Sequence, residues 1–317
     1  MFAAAQDFSC SAAVTLCDLP RQRLCPSRRR LRTGDLVADK YLVAGVVGEG
    51  GVGIVFAARD LQEGRDVAIK VLRPEFGDDA DAVARFRWEA RTVARLRGDH
   101  VVRCFGEGTL EGGSPYMVME LLEGCDLGQL MERRRAPFGV AEALDYVLQA
   151  CEALSEAHAS GITHRDLKPE NLFVTTSADG RPFVKLIDFG MSSSVELAQA
   201  LATKTSVRGT LMGSPAYMSP EHVNDFESVD ARSDVWALGV VLFELLTGTL
   251  LYDEASIPSM LKRICREPIP SLRTRRVDLP RRLERVVRRC LAKERSRRFQ
   301  SAAQLARALR PFAAPAR

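Results

Sequence analysis

The sequence contains no apolar run long enough to cross a membrane. Even the stretch 236–246 is interrupted by Glu244, whereas a membrane-spanning helix needs about 20 predominantly apolar residues. The first residues carry no early Lys or Arg, and Gln6 and Asp7 interrupt their short apolar start, which disfavours a secretory signal. These absences predict a chain without a membrane span, for which a cytoplasmic location is the expectation.

A large excess of charge of one sign is also lacking. The 45 Lys and Arg residues against 41 Asp and Glu give a formal net charge of +4 over 317 residues, which does not by itself call for nucleic acid. Basic residues are nevertheless concentrated in 21–32 and 273–289. A mobile tail and solvated helix faces are the favoured interpretation, and docking to a phosphate or a membrane is the alternative.

The eight cysteines do not form a metal-binding pattern. Cys10, Cys17 and Cys25 share the featureless N-terminal segment, but their spacing is wide and no His lies nearby, which argues against a zinc site. Unpaired thiols are favoured, and a redox or intermolecular disulfide role is the alternative. The other five fall in apolar or helical patterns, where a thiol packs as a small hydrophobe: Cys104, Cys125, Cys151, Cys265 and Cys290.

The chain divides into segments of different character and has no internal repeats. Residues 1–40 lack sustained periodicity and end in an Arg-rich run, which is typical of a flexible extension. From 41 to 124, short β-type runs, including one at 101–106, alternate with turns around one helical pattern at 81–96. Helical patterns dominate 125–312, and 313–317 is a tail. The sequence therefore predicts an α+β fold with an antiparallel-sheet lobe, a larger helical lobe and a ligand cleft at their junction.

The strongest functional signal is a pair of motifs in the second half. Residues 164–171 read HRDLKPEN, and a β-type run leads into DFG at 188–190. Either motif alone would be common by chance. Together they set carboxylates, an amine and an amide at the spacing that phosphoryl transfer from a metal-bound nucleotide needs.

A glycine-rich segment is the expected nucleotide-binding element. Residues 48–53 read GEGGVG, a pattern that dinucleotide-binding folds and chance also produce. A Rossmann fingerprint opens a helix and a Walker loop ends in Gly-Lys-Ser/Thr, whereas here a strand pattern follows. The glycines are therefore placed in a hairpin whose backbone amides can close over phosphate oxygens.

These motifs resemble those of the eukaryotic-like protein Ser/Thr kinases, most closely the bacterial members, over about residues 41–312. The resemblance implies a bilobal protein kinase fold, with the N-lobe and hinge in 41–124 and the C-lobe in 125–312. It also implies transfer of the γ-phosphate of ATP to Ser or Thr hydroxyls of protein substrates, with Mg²⁺ or alternatively Mn²⁺, and activation-loop autophosphorylation. The oligomeric state stays open.

The resemblance assigns catalytic roles to Asp166, Lys168, Lys70 and Glu89, and metal-binding roles to Asn171 and Asp188. Asp166 accepts or orients the substrate hydroxyl proton, and Lys168 places a compact positive charge at the γ-phosphate. Lys168 also favours Ser and Thr over Tyr as acceptors. Asn171 and Asp188 supply oxygen ligands to the metal.

Nucleotide contacts are implied for residues of both lobes. Lys70, inside a β-type run, contacts the α- and β-phosphates and pairs with Glu89 on the predicted helix. Met119 stands at the gatekeeper position before the crossover, Asp126 is placed to bond ribose hydroxyls, and apolar residues sandwich the base. The remaining implied contacts are Gly48, Glu49, Gly50, Gly53, Val55, Ala68, Glu120, Leu122 and Phe173.

The segment between Asp188 and Glu221 is long and rich in Ser and Thr, and loops of such length in a compact domain are usually functional or disordered. The resemblance identifies it as an activation segment and Arg165 as the cation that a phosphate on it would meet. The predicted phosphorylation sites are Thr210, followed by Thr205 and Ser206.

Two structural anchors are implied as well. Asp234 is expected to hold the backbone of the catalytic loop, and Arg298 is expected to form a buried ion pair with Glu221. Two rival functions stay open at this point. A pseudokinase scaffold usually lacks one of the positions held here by Lys70, Asp166, Asn171 and Asp188. A small-molecule phosphotransferase is expected to lack the 213–221 segment and the Arg298 element.

Overall fold

The structure, a computed structural model, describes residues 31–189 and 214–313. Contacts within the chain define two compact units. Among the described residues, the first unit comprises 31–90 and 104–124, and the second comprises 91–103, 125–189 and 214–313. In the part of the chain that the structure describes, no helix is both long and apolar enough to span a membrane.

The first unit is built on an antiparallel sheet. Its central strands are rich in β-branched and aromatic residues, which suit a pleated and partly buried surface. The strand order is β1-β2-β3-β4-β6-β5. The strands are β1 (Leu36–Val37), β2 (Tyr41–Glu49), β3 (Gly53–Asp60), β4 (Arg65–Leu72), β5 (Cys104–Thr109) and β6 (Pro115–Glu120).

Residues 31–40, which the sequence analysis assigns to the extension, are part of this first unit. Strand β1 pairs with β2, and Leu31 is buried in an apolar cluster with Phe56 and Ile69. The Gly34 N–H also donates to the Val43 carbonyl over 2.8 Å. A two-residue strand has no periodicity to detect, so the sequence places the start of the fold later, near residue 41.

One main helix accompanies the sheet, as predicted. Helix α1 (Ala80–Arg95) begins after Asp79, whose carboxylate accepts hydrogen bonds from the backbone N–H groups of Asp81 and Ala82. This satisfies donors that a helix N-terminus otherwise leaves unpaired. Phe86, Ala90 and Val93 are buried at three- and four-residue spacing, which is the period that predicted the helix.

The predicted strand at 101–106 is displaced in the structure. Val101 forms an isolated parallel bridge with Leu186, and the Val102 N–H donates to the Leu186 carbonyl over 3.0 Å. Both valines are buried in the second unit, and strand β5 of the first unit starts only at Cys104. The residues of this run therefore belong to two different units. Their local pattern does not indicate this division.

The second unit is mainly helical. Its central helix α5 is buried on nearly all sides from Ser233 to Thr247, which explains why that stretch is apolar with little periodicity. The helices are α2 (Leu127–Arg134), α3 (Val140–Ala159), α4 (Pro220–Asn224), α5 (Ala231–Thr247), α6 (Ile257–Arg266), α7 (Leu272–Arg275), α8 (Arg281–Cys290) and α9 (Ala302–Leu309).

The second unit also contains a small antiparallel sheet beside its predominant helices. It contains β7 (Cys125–Asp126), β8 (Leu172–Thr176) and β9 (Pro182–Leu186) in the order β7-β8-β9. The sequence analysis identifies only the apolar run before Asp188, because the other two strands are short and polar at their ends. This sheet positions several of the predicted site residues.

Close packing around Gly239 of helix α5 gives a stability prediction. A Cβ at this position would lie 2.6 Å from the Cys290 Cβ and 3.1 Å from the Leu291 side chain. We expect Gly239→Ala to lower the free energy of unfolding by about 1–3 kcal/mol through overpacking, despite the better helix propensity of Ala. Urea denaturation measures this, with Gly106→Ala as the control because nothing lies within 4 Å of its Cβ position. A Gly239→Ala protein as stable as the wild type would contradict the prediction.

Candidate active site

Four predicted nucleotide-binding residues share one face of the first-unit sheet. In the register of β3 with β4, Val55 lies opposite Lys70, and in that of β4 with β6, Ala68 lies opposite Met119. Directly opposed residues, and residues two apart on a strand, point to the same side of a sheet. The alternate residues, such as Ile69, belong to the apolar cluster that contains Leu31. Strand pairing therefore assembles a face that the linear motifs only imply.

Lys70 and Glu89 form the predicted ion pair. Nζ of Lys70 lies 2.8 Å from Oε1 of Glu89, and the two side chains are 13% and 15% exposed. Such shielding from water strengthens the attraction. The pair fixes the ammonium group of Lys70 relative to helix α1, as its predicted role requires.

We expect Glu89→Gln to lower kcat/KM by about 10- to 100-fold, because Lys70 loses a charge-assisted hydrogen bond and its orientation. Steady-state kinetics with ATP and a protein substrate measures this. Glu63→Gln is the control, since Glu63 is an exposed residue of the same unit. An unchanged rate for Glu89→Gln would refute the role of the pair.

The glycine-rich segment forms the connection between β2 and β3, as predicted. The Gly50 N–H donates to the Gly53 carbonyl over 2.9 Å. A Cβ on Gly53 would lie 3.1 Å from the Val71 carbonyl oxygen, whereas the nearest atoms to a Cβ on Gly48 or Gly50 are 3.9 and 3.6 Å away. Crowding therefore demands glycine most strongly at Gly53, where the loop approaches the strand that carries Lys70.

Two further contact predictions fall at the end of β6 in the first unit. Glu120 is the last residue of that strand, and Leu122 follows it in a half-buried position. Their roles stay predictions, as does that of Glu49, the last residue of β2.

In the second unit, the β8–β9 hairpin brings the two predicted metal ligands together. Leu172 pairs with Leu186, and the Ile187 N–H donates to the Asn171 carbonyl over 3.0 Å. Asn171 and Asp188 therefore lie at the same open end of the hairpin. Asp188 has φ of +54°, a conformation that costs a non-glycine residue energy and is common at functional sites.

The catalytic loop is anchored by Asp234 of helix α5, as predicted. Its two carboxylate oxygens accept hydrogen bonds from the backbone N–H groups of His164 and Arg165, both over 2.9 Å. Burial alone would raise the pKa of Asp234, but the hydrogen bonds to His158 and to this loop hold it below its usual value. Arg165 adopts φ of +68°, so the anchor holds the loop in a strained conformation.

Asp166, Lys168 and Asn171 meet within this loop. Nζ of Lys168 lies 3.1 Å from Oδ2 of Asp166, and Nδ2 of Asn171 donates to the Asp166 carbonyl over 2.7 Å. Because the amide nitrogen of Asn171 is used in this bond, its oxygen is the atom directed elsewhere, as a metal ligand requires. The donor set of one amide oxygen and the Asp188 carboxylate suits Mg²⁺, which binds one or two protein ligands together with substrate phosphates.

Strand pairing also brings Asp126 and Phe173 together, because they lie opposite each other between β7 and β8. Oδ1 of Asp126 accepts a hydrogen bond from the Gln129 N–H over 2.8 Å and caps helix α2. Burial raises the pKa of this carboxyl. The predicted ribose contact would therefore be made by a residue that also caps a helix.

The predicted Arg298–Glu221 pair is present and buried. Nη1 and Nη2 of Arg298 lie 2.6 and 2.8 Å from Oε1 and Oε2 of Glu221. Burial alone would raise the pKa of Glu221, but the guanidinium beside it outweighs this effect and sets the value at about 2.

The predicted phosphorylation sites Thr205, Ser206 and Thr210 lie outside the described residues, so they stay predictions. Gly190, the last residue of the DFG motif, also lies outside them. Arg165 is described, and its role as a phosphate sensor stays a prediction as well.

Sequence reasoning missed three side-chain contacts. Nε2 of His158 donates to the Asp234 carboxylate over 2.8 Å, and a lone His in the apolar stripe of α3 was the available signal. The Tyr217 hydroxyl bonds the Glu244 carboxylate over 2.6 Å, and burial raises the pKa of Glu244 to about 7. Nε of Arg73 donates to the Gly50 carbonyl of the glycine-rich segment 48–53 (the glycine loop). No sequence motif identifies Arg73.

Comparison with known proteins settles the family. The family described as "Protein kinase domain" matches residues 41–308. The chain belongs to the protein kinase family. The predicted protein kinase fold is thereby confirmed, and family membership implies the use of ATP and a divalent metal.

Relatives of this kinase chain occur in bacteria. It is 37% identical over 243 residues to the serine/threonine-protein kinase pkn3 of Myxococcus xanthus, which covers 76% of this chain and 44% of that protein. It is 37% identical over 240 residues to PknB of Mycobacterium leprae, covering 74% and 37%. The chain thus spans less than half the length of these relatives.

A solved structure resembles this kinase chain closely. The kinase domain of Mycobacterium tuberculosis PknI superposes with a TM-score of 0.69 at 28% identity, covering 90% of this chain and 100% of that one. The prediction of a bacterial member of the eukaryotic-like kinases is therefore confirmed.

Proposed function

We propose that this protein is a serine/threonine kinase that transfers the γ-phosphate of Mg²⁺-bound ATP to Ser or Thr hydroxyls of protein substrates. The bacterial relatives pkn3 and PknB are named serine/threonine-protein kinases, which supports the choice of acceptor. The proposal includes phosphorylation of its own activation segment, for which Thr210, Thr205 and Ser206 are the candidates.

The observation that carries the proposal is the loop in which Asp166, Lys168 and Asn171 meet. It combines the Asp166 carboxylate, a cation 3.1 Å from it and the Asn171 amide, which the β8–β9 hairpin brings to the same end as Asp188. Phosphoryl transfer passes through a loose transition state, so positioning and electrostatics supply most of the catalysis.

Each group has a part that follows from its chemistry. Asp166 accepts the hydroxyl proton of the substrate, and Lys168 stabilises charge on the transferred group. Asn171 and Asp188 would hold Mg²⁺, which neutralises phosphate charge when bound. On the first unit, Lys70 is held by Glu89 and is proposed to bind the α- and β-phosphates.

Incubation with γ-labelled ATP, Mg²⁺ and a generic protein substrate tests the proposal. We expect label on Ser and Thr of the substrate and of the protein itself, identified by mass spectrometry. Asp166→Asn serves as the inactive control, and omission of Mg²⁺ or its replacement by Mn²⁺ tests the metal.

The same experiment separates the rival functions. A pseudokinase would bind ATP without transferring label, and a small-molecule phosphotransferase would label low-molecular-weight acceptors instead of protein. All four positions held by Lys70, Asp166, Asn171 and Asp188 are intact, which favours catalysis over a scaffold role.

A further inference from the structure

Arg73, the residue that follows β4, is bonded to the glycine loop at three points. Its backbone N–H donates to the Val52 carbonyl over 2.9 Å, and its Nε donates to the Gly50 carbonyl over 2.9 Å. Its Nη2 lies 3.1 Å from Oε2 of Glu49. All these atoms belong to the first unit, so one residue holds the loop against the strand that carries Lys70.

These bonds set the direction of the peptide groups in the loop. In a trans peptide, a carbonyl and the N–H of the next residue point in opposite directions. Because Gly50 and Val52 turn their carbonyls toward Arg73, the N–H groups of Gly51 and Gly53 are directed away from it. Phosphates are bound by N–H groups and repelled by carbonyl oxygens, so this orientation suits an anion.

We infer that Arg73 is a positioning residue for nucleotide binding, which holds the glycine loop with its N–H groups presented to the phosphates and does not itself touch the nucleotide. The inference rests on the proposed function, since the ligand of the loop is taken to be ATP. The hydrogen bond from Arg73 to the Gly50 carbonyl is expected to contribute most to holding the loop. The Glu49 carboxylate is 51% exposed and the Arg73 side chain 21% exposed, and such ion pairs contribute little.

Direct binding of phosphate by Arg73 is the rival explanation. Nε and Nη2 are engaged by the loop, which favours positioning. The two explanations differ in what happens without nucleotide. A positioning residue holds the loop before ATP arrives, whereas a direct ligand has no effect on the free loop.

Kinetics of Arg73→Ala and Arg73→Lys provides the first test. We expect Arg73→Ala to raise the KM for ATP about tenfold and to leave kcat nearly unchanged. A tenfold change is what the loss of one charge-assisted hydrogen bond typically causes. Arg73→Lys should fall between Ala and the wild type, since Lys donates from a single nitrogen. Arg59→Ala is the matched control, because Arg59 pairs with Asp66 at 2.9 Å on the same sheet and should leave KM unchanged.

Hydrogen exchange of the nucleotide-free proteins provides the second test. Peptides covering 49–53 should exchange faster in Arg73→Ala than in the wild type or Arg59→Ala, while peptides covering 115–120 should not change. Unchanged KM and unchanged exchange would overturn the inference. A raised KM with unchanged loop exchange would assign Arg73 to direct phosphate contact and overturn positioning. If the wild type transfers no phosphate, the proposed function fails, while the exchange comparison still decides whether Arg73 holds the loop.

Discussion

Replacing Asp166 with Asn is expected to lower kcat by about 10²- to 10⁴-fold, the usual contribution of a positioned general base, while leaving the KM for ATP nearly unchanged. Asn has the same shape but cannot accept the proton of the substrate hydroxyl. The bond from Asn171 goes to the backbone carbonyl of residue 166, so the substitution leaves the amide of Asn171, the proposed metal ligand, in place. Steady-state kinetics at saturating ATP measures the change.

A matched control is available for this substitution. Asp278 is also a carboxylate beside a cation, 3.2 Å from Nε of Arg276, but its side chain is 64% exposed. Asp278→Asn should keep full activity. The thermal midpoint of Asp166→Asn, measured beside that of the wild type, separates a loss of catalysis from a loss of folding. If Asp166→Asn retained half of the activity, the assignment of the base would be wrong.

Sequence alone predicts the elements whose pattern is long and local. Helix α1 starts and ends one residue before the predicted 81–96. Its apolar side chains recur with the helical period over several turns. The HRDLKPEN and DFG motifs could be identified from the sequence equally well. Their residues are close in the chain, and this places them close together in one loop and one hairpin.

Other features depend on residues that are distant in the chain. The valines at 101 and 102 bond to Leu186 in the second unit, and no local pattern tells them from strand residues of the first. Arg73 reaches the glycine loop across more than 20 positions of sequence. Such contacts depend on strand register. Hydrophobic alternation limits the possible registers but does not specify which residues pair.

Replacing Arg298 with Ala is expected to lower the free energy of unfolding of the second unit by about 3–5 kcal/mol, because it leaves a buried carboxylate without its partner. Arg298 is fully buried, and Glu221 is 7% exposed. The guanidinium also donates to the carbonyls of Ala292, Arg232 and Lys293. All of these acceptors would be stranded. Urea unfolding at neutral pH measures the loss.

The neighbouring Arg297 provides the control. Its Nε lies 2.7 Å from Oε2 of Glu294, but its side chain is 72% exposed. An exposed pair of this kind contributes about 0–1 kcal/mol. Arg297→Ala should therefore unfold close to the wild type, and an equal loss in both variants would mean that burial of the ion pair is not the cause.

The pH dependence supplies a second, independent readout of the Arg298 prediction. The pKa of Glu221 is about 2 in the folded protein against an ordinary value near 4.5, so its contribution is complete above pH 4.5 and is lost as the pH falls toward 2. In Arg298→Ala, burial without the cation should instead raise the pKa of Glu221, which penalises folding at neutral pH and relieves that penalty on acidification. The stability gap between wild type and variant should therefore shrink by at least about 1 kcal/mol between pH 6 and pH 4. A gap that stayed constant would show that the lost packing of the arginine, and not the stranded carboxylate, destabilises the variant.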